Sequence, residues 1–135
     1  MSHDQQGNER FQRGLAKMLE FGGEEAGSTH SKLIDNYREL ADDLPNLIVE
    51  FPFGDIYSRG VLDNKRQAMI VIAALTAIAA EPECELWINS GFNVGLTKDE
   101  IVGTIIHLIP YVGFPRCLNA LGLVKKVMHE RGDIK

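Results

Sequence analysis

Residues 63–80 read DNKRQAMIVIAALTAIAA and contain the longest apolar run of the chain. Asp63 is a residue type that commonly caps a helix, so we expect a helix to begin at Asn64. The alanine content and the length of the run favour a helix over a strand, despite the β-branched residues at 70–72. Because its apolar side chains lie on all sides, this helix is predicted to be central to the core. The run is too short to cross a bilayer.

The flanking sequence also predicts helices, and no segment shows the alternation of a strand. Thr97 and Glu100 have the spacing of a capping box. Pro52 should kink or split the segment that contains it, and Pro110 should kink its own segment. We expect an all-α, compact bundle of about six or seven helices in one domain, residues 8–135, after a flexible tail at 1–7. The predicted helices are one around Phe11–Leu19, one from Ser28 or Ser31 to Leu40, Pro45–Tyr57, Asn64–Ala80, Pro82–Val94, Lys98–Tyr111 and Arg116–Glu130.

Charge and composition exclude several classes of function. The chain has 135 residues and a formal net charge of −5, which argues against nucleic acid and against an anionic membrane surface as partners. Two distant cysteines do not form a secreted-type disulfide framework, and the polar N-terminus does not match a signal peptide. We therefore expect a cytoplasmic protein. No His, Cys, Asp and Glu spacing predicts a metal site.

Three stretches of the chain carry a family resemblance. They are FPFGDIYSRGVLDNKRQAMIVIAALTAIA at 51–79, INSGFNVGLTKDEIVGTIIHL at 88–108 and YVGFPRCLNALGLVKKV at 111–127. In order and spacing they resemble the carboxymuconolactone decarboxylase family, in the alkylhydroperoxidase-D-like superfamily, where the last stretch reads YAGFPAALNAL. The resemblance implies an all-helical fold, assembly as homo-trimers or hexamers, and pockets near subunit contacts.

One branch of this superfamily reduces peroxides with a CxxC motif. Its cysteine positions fall on Ala80 and Glu83 here, and Cys84 is one place away with no partner at the CxxC spacing. A thiol peroxidase needs an attacking thiolate and a nearby resolving thiol. Cys117 is more than thirty residues away, so this peroxiredoxin-like activity is the third and least favoured hypothesis.

The decarboxylase branch works without a metal or an organic cofactor. Two of its reactive positions are changed here, because Gln67 replaces a glutamate and Trp87 replaces a histidine. His107 remains, and the resemblance implies that it is the catalytic residue, a general acid that protonates the carbanion left when CO2 departs. The alternative is a core histidine bonded to a backbone carbonyl, since Ile106 and Leu108 flank it.

Two arginines and two aromatic residues complete the candidate site. Arg59 and Arg66 are candidates to bind substrate carboxylates, because a guanidinium holds a carboxylate through two hydrogen bonds. The alternative for both is a structural ion pair with Asp55, Asp63 or Glu50. Trp87 and Tyr111 are candidate walls of the substrate pocket.

The leading hypothesis is a decarboxylase of a small lactone or dicarboxylic acid that needs no cofactor. A non-catalytic oligomeric binding or scaffold protein is the alternative from another class, motivated by the residues now found at 67 and 87. The sequence also predicts a homo-oligomer. Apolar side chains crowd around Pro52 more densely than one small core can accept, and an exposed apolar patch marks an interface; they are Phe51, Phe53, Ile56 and Tyr57.

Overall fold

The computed structural model describes residues 2–22 and 35–132 of the chain, which form helices and turns with no strand among them. The all-α prediction is therefore confirmed. The chain divides into two compact units, residues 1–63 and 64–135. The regular elements are α1 (Ser2–Gly22), α2 (Leu44–Ile48), a π-helical segment (Val49–Ile56), a 3₁₀ turn (Tyr57–Arg59), α3 (Asn64–Ala77), α4 (Glu81–Asn93), α5 (Lys98–Ile106), α6 (Ile109–Val112) and α7 (Phe114–Arg131).

Helix α1 is longer than the sequence predicts. It begins at Ser2, so the segment expected to be a flexible tail is helical. Polar side chains such as aspartate and glutamine are compatible with a helix that has no apolar face in that turn. Residues 35–38 are also helical, but most of the helix predicted to start at Ser28 or Ser31 lies outside the described residues.

The segment around Pro52 continues as a helix of a different kind. Residues Val49–Ile56 form π-helical turns with Pro52 inside them. Proline lacks a backbone N–H, and in an α-helix its ring would collide with the carbonyl group four residues earlier. Wider turns relieve that collision. The predicted helix Pro45–Tyr57 is thus split into separate elements, with a local widening between α2 and the 3₁₀ turn.

In the first unit, α1 packs against the π-helical segment at a close backbone contact. A Cβ atom on Gly14 would lie 2.1 Å from the carbonyl oxygen of Val49, and one on Gly54 would lie 2.8 Å from that of Arg10. Only glycine fits such an approach. Ion pairs flank it, because Asp55 accepts bonds of 2.6 Å from Arg10 and 3.2 Å from Arg13. The hydrogen bond from Arg10 is the main reason that the pKa of Asp55 is lowered.

Some of the crowded apolar residues of the first unit are buried and others are exposed. Phe53 packs edge-to-face on Tyr57, with ring centroids 5.0 Å apart, and on Phe21 at 6.4 Å. Phe51 and Ile56 remain 60% and 44% exposed. The predicted surplus of apolar side chains is therefore present in these two residues, while Phe53 belongs to the core.

In the second unit, α3 packs against α4, α5 and α7, as expected of a central helix. Its burial is incomplete, because Ile70 and Ile78 are 53% and 68% exposed. The expectation of a helix buried on all sides is wrong for this face. On α7, Leu118 is 56% exposed. Buried core residues of the unit include Ala68, Ile72, Ile88, Ile101, Ile105, Ala120, Val124, Val127 and Met128.

Two helix ends position the site residues. Thr97 and Glu100 form the predicted capping box, with bonds of 2.9 and 3.1 Å, and so fix the start of α5. Helix α3 ends at Ala77, three residues before the predicted end. Its closing turn has Ala79 at a φ of 59°, and the N–H groups of Ala79 and Ala80 donate to the carbonyl groups of Thr76 and Leu75. This is the Schellman arrangement, which usually contains glycine at the left-handed position.

Candidate functional site

His107 lies at the end of α5 with its side chain exposed. Its backbone N–H donates to the carbonyl group of Gly103 at 3.0 Å and so completes the helix. The imidazole forms no hydrogen bond or ion pair with the described residues. The interpretation of His107 as a core histidine bonded to a carbonyl group is therefore wrong for the single chain. The residue is available to a ligand or to another molecule.

Pro110 explains why the helix breaks beside His107. It has no N–H to donate to the carbonyl group of Ile106, so α5 ends and the short helix α6 follows. The helix predicted from Lys98 to Tyr111, with a kink at Pro110, is divided at residues 107 and 108. Tyr111 on α6 is 82% exposed. Further exposed apolar residues accompany it along this part of the chain: Ile106, Phe114 and Leu118. We refer to Ile106, Tyr111, Phe114 and Leu118 together as the apolar rim.

The two candidate carboxylate-binding arginines belong to different units. Arg59 ends the 3₁₀ turn of the first unit and is exposed. It makes no ion pair with the described residues, since Asp55 is occupied by Arg10 and Arg13. Arg66 is exposed in the first turn of α3 in the second unit and does take part in an interaction. The ion-pair alternative is therefore not found for Arg59.

The two positions where the family carries other reactive residues are buried. Gln67 on α3 is 8% exposed and Trp87 on α4 is 7% exposed. Both side chains interact with other residues, and both helices pack against each other. An amide cannot exchange a proton as a carboxyl group does, and an indole N–H only donates. These positions contribute to packing in the single chain, and neither supplies a base.

The cysteines are free and buried. Cys84 lies in the first turn and a half of α4, with its sulfur 3.7 Å from the hydroxyl group of Thr76. Burial raises the pKa of the Cys84 thiol, and Glu81 adds to the effect, whereas the contact with Thr76 opposes it. A thiol with a raised pKa forms little thiolate, which is the reactive species.

A shallow hollow lies where α3 ends, α4 begins and α7 begins. Its volume is about 200 Å³, including the part open to solvent. Thr76, Glu81, Cys84, Arg116 and Asn119 line it together with four apolar side chains. Apart from Cys84, which was considered for the peroxidase hypothesis, none of these residues was identified as a candidate from the sequence. Arg116 could have been singled out in the sequence, because the family pattern YAGFPAALNAL has alanine at that position.

Within residues 2–22 and 35–132, no group of three or more His, Cys, Asp or Glu side chains is arranged to hold a metal ion. Over the same residues, no helix is long and apolar enough to cross a membrane.

The fold and these residues define a class of small all-helical proteins with an exposed histidine at a helix break. The chain belongs to the carboxymuconolactone decarboxylase family, whose sequence profile matches residues 42–126. It is 29% identical to 4-carboxymuconolactone decarboxylase of Acinetobacter baylyi over 92% of this chain and 90% of the relative. It is 28% identical to an uncharacterized 15.0 kDa protein of Paracoccus denitrificans, over 91% and 96%. Nitrosuccinic acid decarboxylase of Metarhizium robertsii is 28% identical over 64% of this chain and 61% of that protein.

Proposed function

We propose that the protein is a decarboxylase of a small lactone or dicarboxylic acid and that it needs no metal or organic cofactor. The observation that carries the proposal is His107, an exposed imidazole without a hydrogen bond to the described residues. Two of the relatives are named as decarboxylases, one of 4-carboxymuconolactone and one of nitrosuccinic acid. The proposed substrate is accordingly a small acid with a second electron-withdrawing group.

The proposed reaction requires little of the protein. The bond between the carboxylate carbon and its neighbour breaks, CO2 leaves, and the electron pair moves into the acceptor group of the substrate. Protonated His107 then donates a proton to the resulting carbanion, and solvent restores the imidazolium. Imidazole is suited to this role because it exchanges protons near neutral pH. Arg59 and Arg66 are the proposed carboxylate-binding groups, since guanidinium pairs with carboxylate in a bidentate manner.

A second copy of the chain fits this proposal. An exposed site gives a substrate little protection from water, and exclusion of water strengthens electrostatic interactions with a developing charge. The apolar rim, which lies close to His107 in the sequence, consists of exposed side chains of the kind that become buried in an interface. We therefore include a homo-oligomer, a trimer or a hexamer, in the proposal. Tyr111 and Trp87 are the proposed walls, and of these only Tyr111 is exposed in the single chain.

The direct test is release of CO2 from 4-carboxymuconolactone and from nitrosuccinic acid, measured with the purified protein. His107→Ala is expected to lower kcat by about 10²–10⁴-fold, the usual effect of losing a proton donor. His129→Ala is the matched control, because His129 is also exposed and lies on α7 away from the helix break. Its kcat should equal that of the unaltered chain. Arg59→Gln and Arg66→Gln should raise KM more than they lower kcat.

A non-catalytic binding protein is the competing function, and one observation favours it. Gln67 and Trp87 are buried at the positions where family members carry a glutamate and a histidine. A chain that binds either acid without releasing CO2 would support this alternative. Equal kcat values for His107→Ala and His129→Ala, in variants with unchanged circular dichroism, would exclude His107 as the proton donor.

A further inference from the structure

The hollow between α3, α4 and α7 contains an arginine whose donors are only partly used. Arg116 lies in the first turn of α7, and its Nη1 atom donates to the carbonyl oxygen of Ala77, the last residue of α3. The rest of the guanidinium forms no hydrogen bond or ion pair with the described residues. Arginine has five N–H donors, so several remain available to a ligand.

Asn119 provides a second donor on the same side of the helix. It lies three residues after Arg116, which places the two side chains next to each other on the surface of α7. Both line the hollow. The side-chain amide of Asn119 makes no hydrogen bond within the described part of the chain. A guanidinium and an amide N–H together suit an acceptor with two oxygens, such as a carboxylate.

The other walls determine the size and polarity of the ligand. The hydroxyl group of Thr76 already donates to the carbonyl oxygen of Ile72 at 2.8 Å, so it is turned into its own helix. Leu75, Ala79 and Leu123 are among the apolar side chains of the lining. The enclosed part of the hollow has room for about one water molecule, so a bound acid would lie in its open part. A short carbon chain can contact these apolar side chains while its carboxylate faces Arg116.

Glu81 determines the charge of the ligand. It is exposed and lines the same hollow, without an ion pair to the described residues. Its carboxylate repels negative charge, and it repels a ligand with two carboxylates more strongly than a ligand with one. The hollow therefore favours an acid with one carboxylate over an acid with two, which separates it from the substrate class proposed above.

We propose that this hollow is a binding site for a short-chain monocarboxylate, held by Arg116 and Asn119. The site does not depend on the proposed decarboxylase function. Arg116 replaces an alanine of the family pattern, so the site is a property of this chain and its similar relatives with arginine there. Loss of catalysis in His107→Ala leaves the site intact, and failure of the site leaves the decarboxylase proposal intact.

The test is a titration of the full-length protein with propionate, followed by two-dimensional ¹H–¹⁵N NMR. Binding is expected in the millimolar range, with shifts concentrated at the backbone amides of Cys84, Arg116 and Asn119. Arg116→Gln keeps a donor for the Ala77 carbonyl group but removes the charge. This variant should bind at least about tenfold more weakly, the effect of losing a charged hydrogen bond.

Two further variants determine whether the effect is local. Lys125→Gln removes an exposed cation from the same helix, outside the hollow, and should leave binding unchanged. Glu81→Gln removes the opposing charge and should tighten binding by about two- to fivefold, as expected for charges near the surface. Succinate should bind more weakly than propionate. The proposal is overturned if propionate causes no shifts, if Lys125→Gln weakens binding as much as Arg116→Gln, or if chloride produces the same shifts.

Discussion

Two regions of the second unit differ in whether their candidate reactive positions are buried or exposed. In the α3–α4 hairpin, residues 64–93, the positions that correspond to reactive groups of the family are buried, as Gln67 and Trp87 show. At the α5–α6 break, residues 98–112, His107 and Tyr111 are exposed. Solvent thus reaches the imidazole of His107, whereas Gln67, Trp87 and the thiol of Cys84 are largely shielded from it.

The difference shows what burial requires of a chemically active side chain. A buried carboxyl group or imidazole must be paired or neutral, because burial of an unpaired charge is costly. Replacing it by glutamine or tryptophan removes that requirement and lets the hairpin serve as core. The helix break does not need such a change, because an exposed imidazole is hydrated and has no desolvation cost. Any remaining acid-base chemistry is therefore expected at the break.

The largest effect that tests this contrast concerns the Cys84 thiol. Native protein should react with a thiol reagent at Cys84 at least about a hundredfold more slowly than unfolded protein, because reaction needs local opening of the hairpin. Burial also raises the pKa of the thiol, so little thiolate is present at neutral pH. Mass spectrometry of labelled peptides distinguishes Cys84 from Cys117. Rapid labelling of native Cys84, or fast peroxide turnover with a dithiol reductant, would restore the peroxidase hypothesis.

A pair of alanine substitutions compares the two regions in free energy of unfolding. Trp87→Ala should destabilise the protein by about 3–5 kcal/mol, the usual cost of removing a buried large aromatic side chain. Tyr111→Ala should change stability by less than about 0.5 kcal/mol, because that side chain is mostly exposed. Urea denaturation followed by circular dichroism measures both. A loss for Tyr111→Ala that grows as protein concentration rises would place Tyr111 in a subunit interface, whereas a loss equal to that of Trp87→Ala at all concentrations would contradict the contrast.

Local signals made the helices predictable from the sequence. The capping box of Thr97 and Glu100 lies within four residues, so its bonds need no knowledge of the rest of the fold. The chain break beside Pro110 is similarly local. The widened turns at Pro52 were less predictable, because the sequence shows that proline disturbs an α-helix but not whether the chain kinks or widens.

The site was less predictable because exposure depends on packing. His107 is flanked by Ile106 and Leu108, which favours burial by sequence pattern, yet the helix ends there and the periodicity that would bury it stops. The hollow with Arg116 joins residues about forty positions apart, as in the bond from Arg116 to Ala77. No spacing in the chain indicates such a contact. Only the departure of Arg116 from the family pattern distinguishes it in advance.

The smallest expected effect concerns the turn that closes the hairpin. Ala79 has a φ of 59°, a left-handed conformation in which a Cβ atom is strained, and glycine is the usual residue there. Ala79→Gly should stabilise the protein by roughly 0.5–1 kcal/mol, since relief of strain exceeds the entropy that glycine adds to the unfolded chain. Ala74→Gly is the matched control, an exposed position within α3, where the same change should cost about 1 kcal/mol. Both variants lose one methyl group. Opposite signs of the change in the free energy of unfolding would therefore show that the effect at Ala79 comes from its backbone conformation.

Ala79 also lines the hollow, so the propionate affinity of Ala79→Gly shows whether relief of strain in this turn affects binding. A stabilised variant with unchanged propionate affinity would mean that the strained turn belongs to the packed hairpin, and destabilisation would mean that the Ala79 methyl group supports the turn through contacts that outweigh its strain.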